Sequence, residues 1–478
     1  MVDATNATGT RAPLEGTLTV VDLTVGISGG YASKLLADGG ADVIKVETPS
    51  GDPLRSRALL GGDGVPNSRL FQFLHGSQRS VVIDPAAPAD VDLLTTLLRG
   101  AHAVLWANTS PFAAHFSPAA LHELTPHAAI VAMTPFGLVG EPSRPANEFI
   151  LQALASGPNC RGEADREPTV VGGDFGDYIL GTFAAVGLLT AHQRIHHTGI
   201  GEIVDVAGLD AMHLTQTMFA GTFFAASGRP YRPRRIRTIP LIHPTSDGYV
   251  GFQITTGQQW QDFSALVERP DWAEDPTLTR FDVRMARFEE VNTYVDGWTS
   301  QRTTDEIVET AALMRIPVAP VADGATVSQF AQCLDRGWFV QNPSGGFIQP
   351  VPHYTMHGGG QPHPFGPAPS LGEHTQQVRN APPAPLAIAP TGVRKPLPFE
   401  GLRVADLTAF WAGPIIGHFF AMFGADVIHI ESTKRPDGIR AATLKSDMGA
   451  GWWEASPTFA ATNTNKRGLT LDLGSEDG

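Results

Sequence analysis

The stretch LTVVDLTVGISGGYASKLLADGGADVIKVE (residues 18–47) decides the fold, because it holds one complete strand–helix–strand unit. LTVVDL (18–23) and ADVIKVE (41–47) are short apolar runs typical of buried strands, and SGGYASKLLADG (28–39) has helical spacing. The same cycle recurs in VVIDP (81–85), VDLLTTLLRGA (91–101) and AVLWAN (103–108). This alternation predicts an α/β, Rossmann-like domain with a parallel sheet covered by helices on both faces.

The opening stretch is repeated near the end of the chain as LRVADLTAFWAGPIIGHFFAMFGADVIHIE (402–431). Asp22, Gly40 and Glu47 recur at one constant offset as Asp406, Gly424 and Glu431. FLHGSQRSVVID (73–84) is echoed in turn by ATNTNKRGLTLD (461–472). So long a period indicates duplicated domains. We expect one complete module followed by the truncated start of a second Rossmann-like module, from a truncated or split reading frame or a domain fragment.

Composition restricts the possible partners. The 478 residues carry 34 Lys and Arg against 48 Asp and Glu, a net charge of −14, which argues against a nucleic-acid or anionic-membrane surface. Cys160 and Cys333 stand far apart, so neither a disulfide framework nor a zinc site is predicted. No apolar run reaches the roughly 18 residues that span a bilayer. We expect a cytoplasmic protein without a membrane partner.

Changes of character along the chain predict its domains. Residues 231–255 look like a basic loop and a hairpin, and the helical patterns at 258–268 and 304–315 suggest a smaller α+β domain. The last interdomain piece, APPAPLAIAPTGVRKPLP, has linker composition. The predicted divisions are a tail (1–13), a large Rossmann-like domain (14–225), a small α+β domain (226–345), a segment returning to the large domain (346–380), a Pro-rich linker (381–397) and the second module (398–478).

Several familiar sites are poorly supported. The loop GISGGY (26–31), with Glu47 behind it, suggests a nicotinamide-dependent oxidoreductase, but its spacing is not GxGxxG and the repeat reads AFWAGPIIG. His192 and His196 lie four apart on a predicted helix without an HExxH context, so no metal is expected. No GxSxG elbow occurs to support a serine hydrolase.

The most unusual segment is VVGGDFGDYILG (170–181), in which glycines bracket Asp174 and Asp177 where a long apolar helix begins. An acid in this position caps free amides and complements the helix dipole. The same position suits a nucleophilic carboxylate. Composition alone leaves both interpretations open.

The block GDYILG (176–181), followed by AAVGLLTAHQR and TGIGEIVDV (198–206), resembles the signature of the family III CoA-transferases, the CaiB/BaiF family. Segments similar to the same family follow its order along the chain: EFILQALASG (148–157), SDGYVGFQI (246–254), RIPVAPVAD (315–323) and PSLGEHTQQV (369–378). The resemblance covers about residues 14–380 and restarts at Leu397. It implies a large Rossmann-like domain and a small α+β domain in chains that interlock as rings.

The resemblance also implies the reaction and its nucleophile. The family's nucleophile precedes three residues and a glycine, which matches Asp177 with Gly181, whereas Asp174 is out of register. Its carboxylate would attack an acyl-CoA thioester to give an anhydride, then an aspartyl-CoA thioester that passes CoA to an acceptor acid. Such a relay needs no permanently bound cofactor, metal or ATP. Gly176 and Gly181 would let backbone amides approach the oxyanions, and the same amides would keep Asp177 ionised.

Candidate contacts to substrate or CoA follow from matching the family pattern onto this sequence. They are Ile27, Arg55, Gln78, Arg79, Glu148, Gln152, Lys466 and Arg467. The family's Asn-x-x-Lys-Arg survives in the second module as Asn463, Lys466 and Arg467, whereas the first has His75, Gln78 and Arg79, which predicts weaker CoA binding there. A glutamine of formyl-CoA transferases is replaced by Ile27 and, in the repeat, by Trp411. A basic cluster, Arg232, Arg234, Arg235 and Arg237, offers further positive charge.

Two further functions stay open beside CoA transfer. The family includes acyl-CoA racemases that use a histidine and an aspartate, but the histidine position is Asn147 here, which cannot exchange a proton. The chain is alternatively an inactive structural half of a split tandem enzyme. The expected partners are acyl-CoA and carboxylic acid substrates, and a second copy in an interlocked homodimer or a missing second half.

Overall fold

The computed structural model describes residues 12–57, 67–140, 144–162, 166–217, 240–254, 256–279, 281–352, 365–393, 397–434, 436–441, 451–476 and 478. They divide into two compact units. The first lies within Met1–Arg161, Pro168–Arg232 and Val340–Gly478, and the second within Gly162–Glu167 and Pro233–Phe339. The larger part of the second unit, Pro233–Phe339, thus lies within the predicted 226–345, whereas Gly162–Glu167 falls within the range predicted for the large domain. The second module belongs to the first unit.

The first unit is built on a six-stranded sheet in the order β3-β2-β1-β4-β5-β6, with every neighbouring pair parallel. Its strands are β1 (Thr19–Asp22), β2 (Asp42–Glu47), β3 (Arg79–Val82), β4 (Ala103–Ala107), β5 (Ala129–Thr134) and β6 (Glu202–Ala207). The strand order reverses between β1 and β4, which is the switch point where α/β sheets open a crevice at their carboxyl edge. The predicted α/β fold is confirmed.

Helices cover both faces of this sheet. They are α1 (Ile27–Asp38), α2 (Arg69–Leu74), α3 (Pro88–Arg99), α4 (Pro118–Leu124), α5 (Glu148–Leu154), α6 (Phe175–Thr198) and α7 (Gly208–Thr217). On one face, α1 and α6 bury Leu36 and Leu188 against the strands. On the other, α3 and α4 bury Leu97 and Leu121. Strands β4 and β5 are buried along their whole length, which explains why they read as continuous apolar runs.

The second unit combines an antiparallel sheet with helices, as the sequence predicts for a small α+β domain. Its sheet has the order β7-β8-β9, from Ile242–Pro244, Tyr249–Phe252 and Val318–Pro320. Its helices are α8 (Gly257–Leu266), α9 (Pro270–Glu274), α10 (Phe281–Ala286), α11 (Phe288–Thr299), α12 (Thr304–Leu313) and α13 (Ala331–Asp335). Trp260 stacks on Trp272 in the core, with ring centroids 5.8 Å apart. The following strands β10 (Phe339–Gln341) and β11 (Ile348–Pro350) pair with each other.

The chain then returns to the large sheet. Helix α14 (Thr375–Asn380) packs on β3, where the Thr375 hydroxyl accepts a hydrogen bond from the Val82 amide. The predicted linker has no helix or strand in its described part, yet it is bound along the first unit. Leu386 N donates to Arg99 O, and Thr391 N donates to Thr198 O.

The second module repeats the start of the first. Its elements are β12 (Arg403–Asp406), α15 (Ala412–Met422), β13 (Asp426–Glu431), α16 (Pro457–Thr462) and β14 (Arg467–Thr470). They form a parallel sheet in the order β12-β13-β14. The strand register is the same in both modules, since Thr19 pairs with Asp42 and Arg403 with Asp426.

Candidate active site

Three helix N-termini converge on Asp177. The residue lies in the first turn of α6, Ser28 lies in the first turn of α1, and Glu148 is the first residue of α5. Ser28 Oγ donates a hydrogen bond of 2.7 Å to Asp177 Oδ1. The backbone N–H of Gly176 donates one of 2.7 Å to Glu148 Oε1. Because helix N-termini carry partial positive charge, this position favours negative charge developing on a substrate.

The chain turns into α6 through a left-handed bend. Gly173 has φ +77° and Asp174, the N-cap residue, has φ +56°. Glycine adopts this region freely and aspartate tolerates it, which explains the GGD sequence ahead of the helix. The Asp174 carboxylate makes no cap hydrogen bond and instead pairs with Arg57 at 2.8 Å, at the protein surface. Asp174 thereby brings a cation close to Asp177.

Gly176 and Gly181 are required for close packing. A Cβ at Gly176 would collide with Met212 Cε and lie 2.8 Å from Glu148 Cγ. A Cβ at Gly181 would lie 2.5 Å from the carbonyl oxygen of Ser28. Gly181 therefore lets α1 and α6 cross at backbone contact, and its role beside an oxyanion stays a prediction. Gly176 likewise offers its amide to Glu148.

Glu148 and Gln152 hold the loop that precedes α6. Gln152 is fully buried, and its Nε2 donates to Glu148 Oε1 at 2.5 Å and to Val171 O at 2.8 Å. The Gln152 Oε1 atom accepts from Val171 N at 3.0 Å. The two residues predicted as substrate contacts thus lie beside Asp177, and Gln152 fixes the position of the Glu148 carboxylate.

The pKa of Asp177 lies above the ordinary aspartate value. Burial is the largest cause, and the negative charges of Glu148 and Asp174 add to it, whereas the hydrogen bond from Ser28 lowers it. The Gly176 amide, which was expected to hold this carboxylate ionised, is bound to Glu148 instead. A carboxylate of raised basicity is a stronger nucleophile once it is ionised.

Two tyrosines flank the same helix crossing. Tyr31 of α1 and Tyr178 of α6 meet edge to face, with ring centroids 4.8 Å apart. Burial raises the pKa of both phenols. Both phenols therefore stay neutral, and the two rings give Asp177 an apolar neighbouring surface.

Arg55 does not have the role predicted for it. Its Nε and Nη2 donate to Glu47 at 2.7 and 2.6 Å, and its Nη1 donates to Asn67 and to Pro369 O. The guanidinium also lies 3.9 Å from the centre of the Phe71 ring. A guanidinium so occupied is a buried structural cation rather than a phosphate contact. Glu47, the acid that a dinucleotide site would use, is bound in the same pair.

The other candidates from the first module are also held within the protein. Ile27 is buried against Leu54, Phe71 and Leu74. Gln78 is buried, with its Oε1 3.0 Å from His75 Nδ1 and its Nε2 donating to Leu74 O. Arg79 forms a two-point ion pair with Asp42. These contacts contradict the assignment of Ile27 and Gln78 as accessible substrate contacts.

In the second module, the side chain of Lys466 is buried and has a structural role. Its Nζ lies 2.8 Å from Asp406 Oδ2 and donates to Pro414 O and Asn463 Oδ1. This corrects its assignment as a phosphate contact. Arg467 pairs with Asp426 in the same way as Arg79 pairs with Asp42, and its side chain is 67% exposed. The cluster Arg232, Arg234, Arg235 and Arg237 lies outside the described residues.

The histidines that resembled a metal motif lie at the opposite edge of the sheet. His192 and His196 line a cavity of about 270 Å³ together with His102 and His127. Burial lowers the pKa of three of them, His102, His127 and His192. Within the part of the chain that the structure describes, no group of three or more His, Cys, Asp or Glu is arranged to hold a metal ion. Nor is any helix there long and apolar enough to cross a membrane.

Sequence reasoning missed Ser28 and Arg57, which the structure places next to the two aspartates. The sequence signal for Ser28 was a difference between the modules, because the position that matches Ser28 in the repeat is Ala412. Asn147, at the racemase histidine position, caps α5 by accepting from Ile150 N at 3.0 Å.

A doubly wound α/β domain with a carboxylate at converging helix N-termini is suited to nucleophilic attack on an acyl carbon. The model of CoA-transferase family III matches residues 14–375 and 399–478. The chain therefore belongs to CoA-transferase family III.

Its relatives agree with this membership. Probable CoA-transferase Rv1866 of Mycobacterium tuberculosis is 28% identical over 475 residues, 96% of this chain, and this chain spans 58% of that protein's length. Succinyl-CoA:mesaconate CoA-transferase of Haloarcula hispanica is 28% identical over 382 residues, covering 76% of this chain and 94% of the relative. The crystal structure of a CaiB/BaiF family protein from Brucella suis shares the fold, with a TM-score of 0.69 and 24% identity over 77% of this chain and 99% of that one.

Proposed function

We propose that this protein transfers CoA from an acyl-CoA thioester to a carboxylic acid through covalent intermediates on Asp177. The observation that carries the proposal is the position of this carboxylate, where the first turns of α1 and α6 meet and Ser28 donates to Oδ1. Family membership and the names of relatives, which include formyl-CoA:oxalate CoA-transferase of Afipia carboxidovorans, support CoA transfer between acids.

The first half of the reaction moves the acyl group and then CoA onto the enzyme. Asp177 Oδ2 attacks the thioester carbon, the carbon–sulfur bond breaks, and CoA leaves as a thiolate. The thiolate then attacks Cγ of Asp177, and the Cγ–Oδ2 bond breaks to release the donor acid as its carboxylate. The product is an aspartyl-CoA thioester, and no net proton is consumed.

The second half reverses these steps with the acceptor. An oxygen of the acceptor carboxylate attacks Cγ and displaces the CoA thiolate, which leaves an anhydride between Asp177 and the acceptor. The thiolate attacks the acceptor's acyl carbon, which gives the new acyl-CoA and regenerates the Asp177 carboxylate. The overall exchange breaks one thioester and forms another, so it is close to isoenergetic, and the covalent intermediates divide it into easier steps.

Acids with a second carboxylate are the substrates we expect, because mesaconate, succinate and oxalate occur in the names of relatives. The partial positive charge at the first turns of α1, α5 and α6 suits a dianionic acid.

We further infer that the second module is another copy of the family's opening segment. Its support is the shared strand register and the second match of the family model, at 399–478. The buried pair of Glu47 and Arg55 also recurs there as Glu431 and Arg440, with Nε and Oε2 2.8 Å apart.

Trapping the covalent intermediate tests the proposed function. The protein is incubated with succinyl-CoA, oxalyl-CoA or formyl-CoA, quenched and digested, and the peptide containing Asp177 is analysed by mass spectrometry. We expect a CoA or acyl adduct on Asp177, no adduct and no transfer in Asp177→Ala, and retention of both in the neighbouring control Asp174→Asn.

Three results would redirect the assignment. Activity in a folded Asp177→Ala protein would rule out the covalent relay on this residue. Exchange of an acyl-CoA α-proton with deuterated water, without an acceptor acid, would favour the racemase alternative. Absence of an adduct across a broad panel of thioesters would favour a structural half of a larger enzyme.

A further inference from the structure

The side chain of Ser28 contacts the carboxyl group that the proposed reaction attacks. Its Oγ donates to Asp177 Oδ1 at 2.7 Å, and both residues are only partly buried, so a substrate has access to them. The contact joins the first turns of two helices that are far apart in sequence. This hydrogen bond is not a capping interaction, since neither α1 nor α6 has a side-chain cap hydrogen bond.

The packing below this contact fixes its geometry. Because Gly181 has no side chain, α6 approaches the Ser28 carbonyl so closely that an added Cβ would lie 2.5 Å from it. Tyr31, one turn after Ser28 on α1, packs against Tyr178, which follows Asp177 on α6. The Ser28 backbone is thus held against α6, and its hydroxyl meets Asp177 without a long flexible side chain. Such preorganised donors are the ones that stabilise transition states.

The chemical character of Asp177 Oδ1 changes during the proposed reaction. While Asp177 is a free carboxylate, a donor on Oδ1 leaves Oδ2 as the attacking oxygen. In the anhydride and in the aspartyl-CoA thioester, Oδ1 is a carbonyl oxygen. When the CoA thiolate or the acceptor carboxylate attacks Cγ, Oδ1 takes the negative charge of the tetrahedral intermediate, and a hydroxyl donor there stabilises it.

We propose that Ser28 is a catalytic residue that donates the side-chain hydrogen bond to Oδ1 whenever the acyl carbon of Asp177 is attacked. This inference rests on the proposed function. The hydroxyl keeps its proton throughout, so the balance of atoms in each step is unchanged. The hydrogen bond also stabilises the ionised carboxylate between turnovers.

The second module shows that the fold does not need this hydroxyl. Ala412 stands at the position of Ser28, and α15 begins at Ala412, within one residue of the position where α1 begins in the first module. We therefore expect Ser28→Ala to fold. Ser28→Thr keeps the hydroxyl, and Thr182→Ala is a matched control, because the Thr182 hydroxyl donates only to Tyr178 O on the exposed side of α6.

The experiment compares turnover and trapped intermediates in these variants. We expect Ser28→Ala to lower kcat about a hundredfold, as loss of one oxyanion donor does. Since the step at Cγ is slowed most, the acyl anhydride should accumulate over the aspartyl-CoA thioester in quenched samples. The acid limb of the kcat profile should move to higher pH. Ser28→Thr should restore the wild-type adduct ratio, and Thr182→Ala should match the wild type.

The outcomes separate this inference from the proposed function. A wild-type protein without adducts overturns both. A wild type that forms adducts, with Ser28→Ala unchanged in kcat and adduct ratio, overturns the role of Ser28 alone. An equal loss in Ser28→Ala and Ser28→Thr, with the adduct ratio unchanged in both, assigns Ser28 to packing and also overturns the inference.

Discussion

Replacing Gly181 by alanine tests whether backbone contact between α1 and α6 builds the site. In an open helical position this change would stabilise the protein by about 1 kcal/mol, because alanine has the higher helix propensity. Here the new Cβ would lie 2.5 Å from Ser28 O and 3.0 Å from Tyr31 Cβ. Normal contact between such atoms is about 3.5 Å, so the helices must part by about 1 Å.

The magnitude follows from these two opposing effects. Overpacking of a tight interior costs about 1–3 kcal/mol, and we expect it to exceed the gain in propensity because the nearest atom belongs to the backbone. The net loss should be about 1 kcal/mol. A separation of about 1 Å also stretches the hydrogen bond from Ser28 to Asp177 beyond its normal range, so kcat should fall as well.

The assay is calorimetric or urea unfolding of each variant beside the wild type, together with kcat. Gly297→Ala in α11 is the matched control, because an added Cβ there meets nothing within 4 Å, and it should be stabilising. A Gly181→Ala protein as stable as Gly297→Ala, with unchanged kcat, would refute the inference that the helix crossing sets the geometry of Asp177.

Lys45→Met should destabilise the protein by about 3–5 kcal/mol in urea unfolding, because it leaves the buried carboxylates of Asp22 and Asp52 without their cation. The exposed Arg467→Ala should cost at most about 1 kcal/mol, and equal losses would contradict the buried role of Lys45. Asp177→Asn should raise the Tm at neutral pH, since a raised folded-state pKa means that ionising Asp177 costs folding free energy. This gain should disappear as the pH falls through the folded-state pKa, and a lower Tm at neutral pH would contradict it.

The alternation of strands and helices could be predicted because each element carries its own periodic pattern. The helix that begins beside Asp177 was likewise visible in its glycines and its apolar run. The ligand contacts predicted for Arg55 and Gln78 were wrong because they depend on tertiary contacts, which no local pattern shows. Whether a cation is free for a ligand depends on its partners, and Arg55 finds one of its acceptors, Pro369 O, more than 300 residues away in the chain.

The repeat also explains why the match between the two modules gave wrong roles for Lys466 and Gln78. Asp22 and Asp406 occupy the same position at the end of the first strand, and each binds the threonine two residues on, Thr24 or Thr408. Both carboxylates are buried and need a cation. In the first module it is Lys45, from the neighbouring strand β2.

In the second module the cation comes from another part of the chain. His429 takes the place of Lys45, and Lys466 reaches Asp406 Oδ2 from the turn before β14. Gly417 makes room for it, since a Cβ there would lie 3.0 Å from Lys466 Nζ, whereas Ser33 at the matching position of α1 donates to Asp22. Each module thus has one positive charge beside its buried aspartate, but Lys45 supplies it in the first module and Lys466 in the second. In the first module Lys45 already pairs with Asp22, and Gln78 stands where the second module has Lys466.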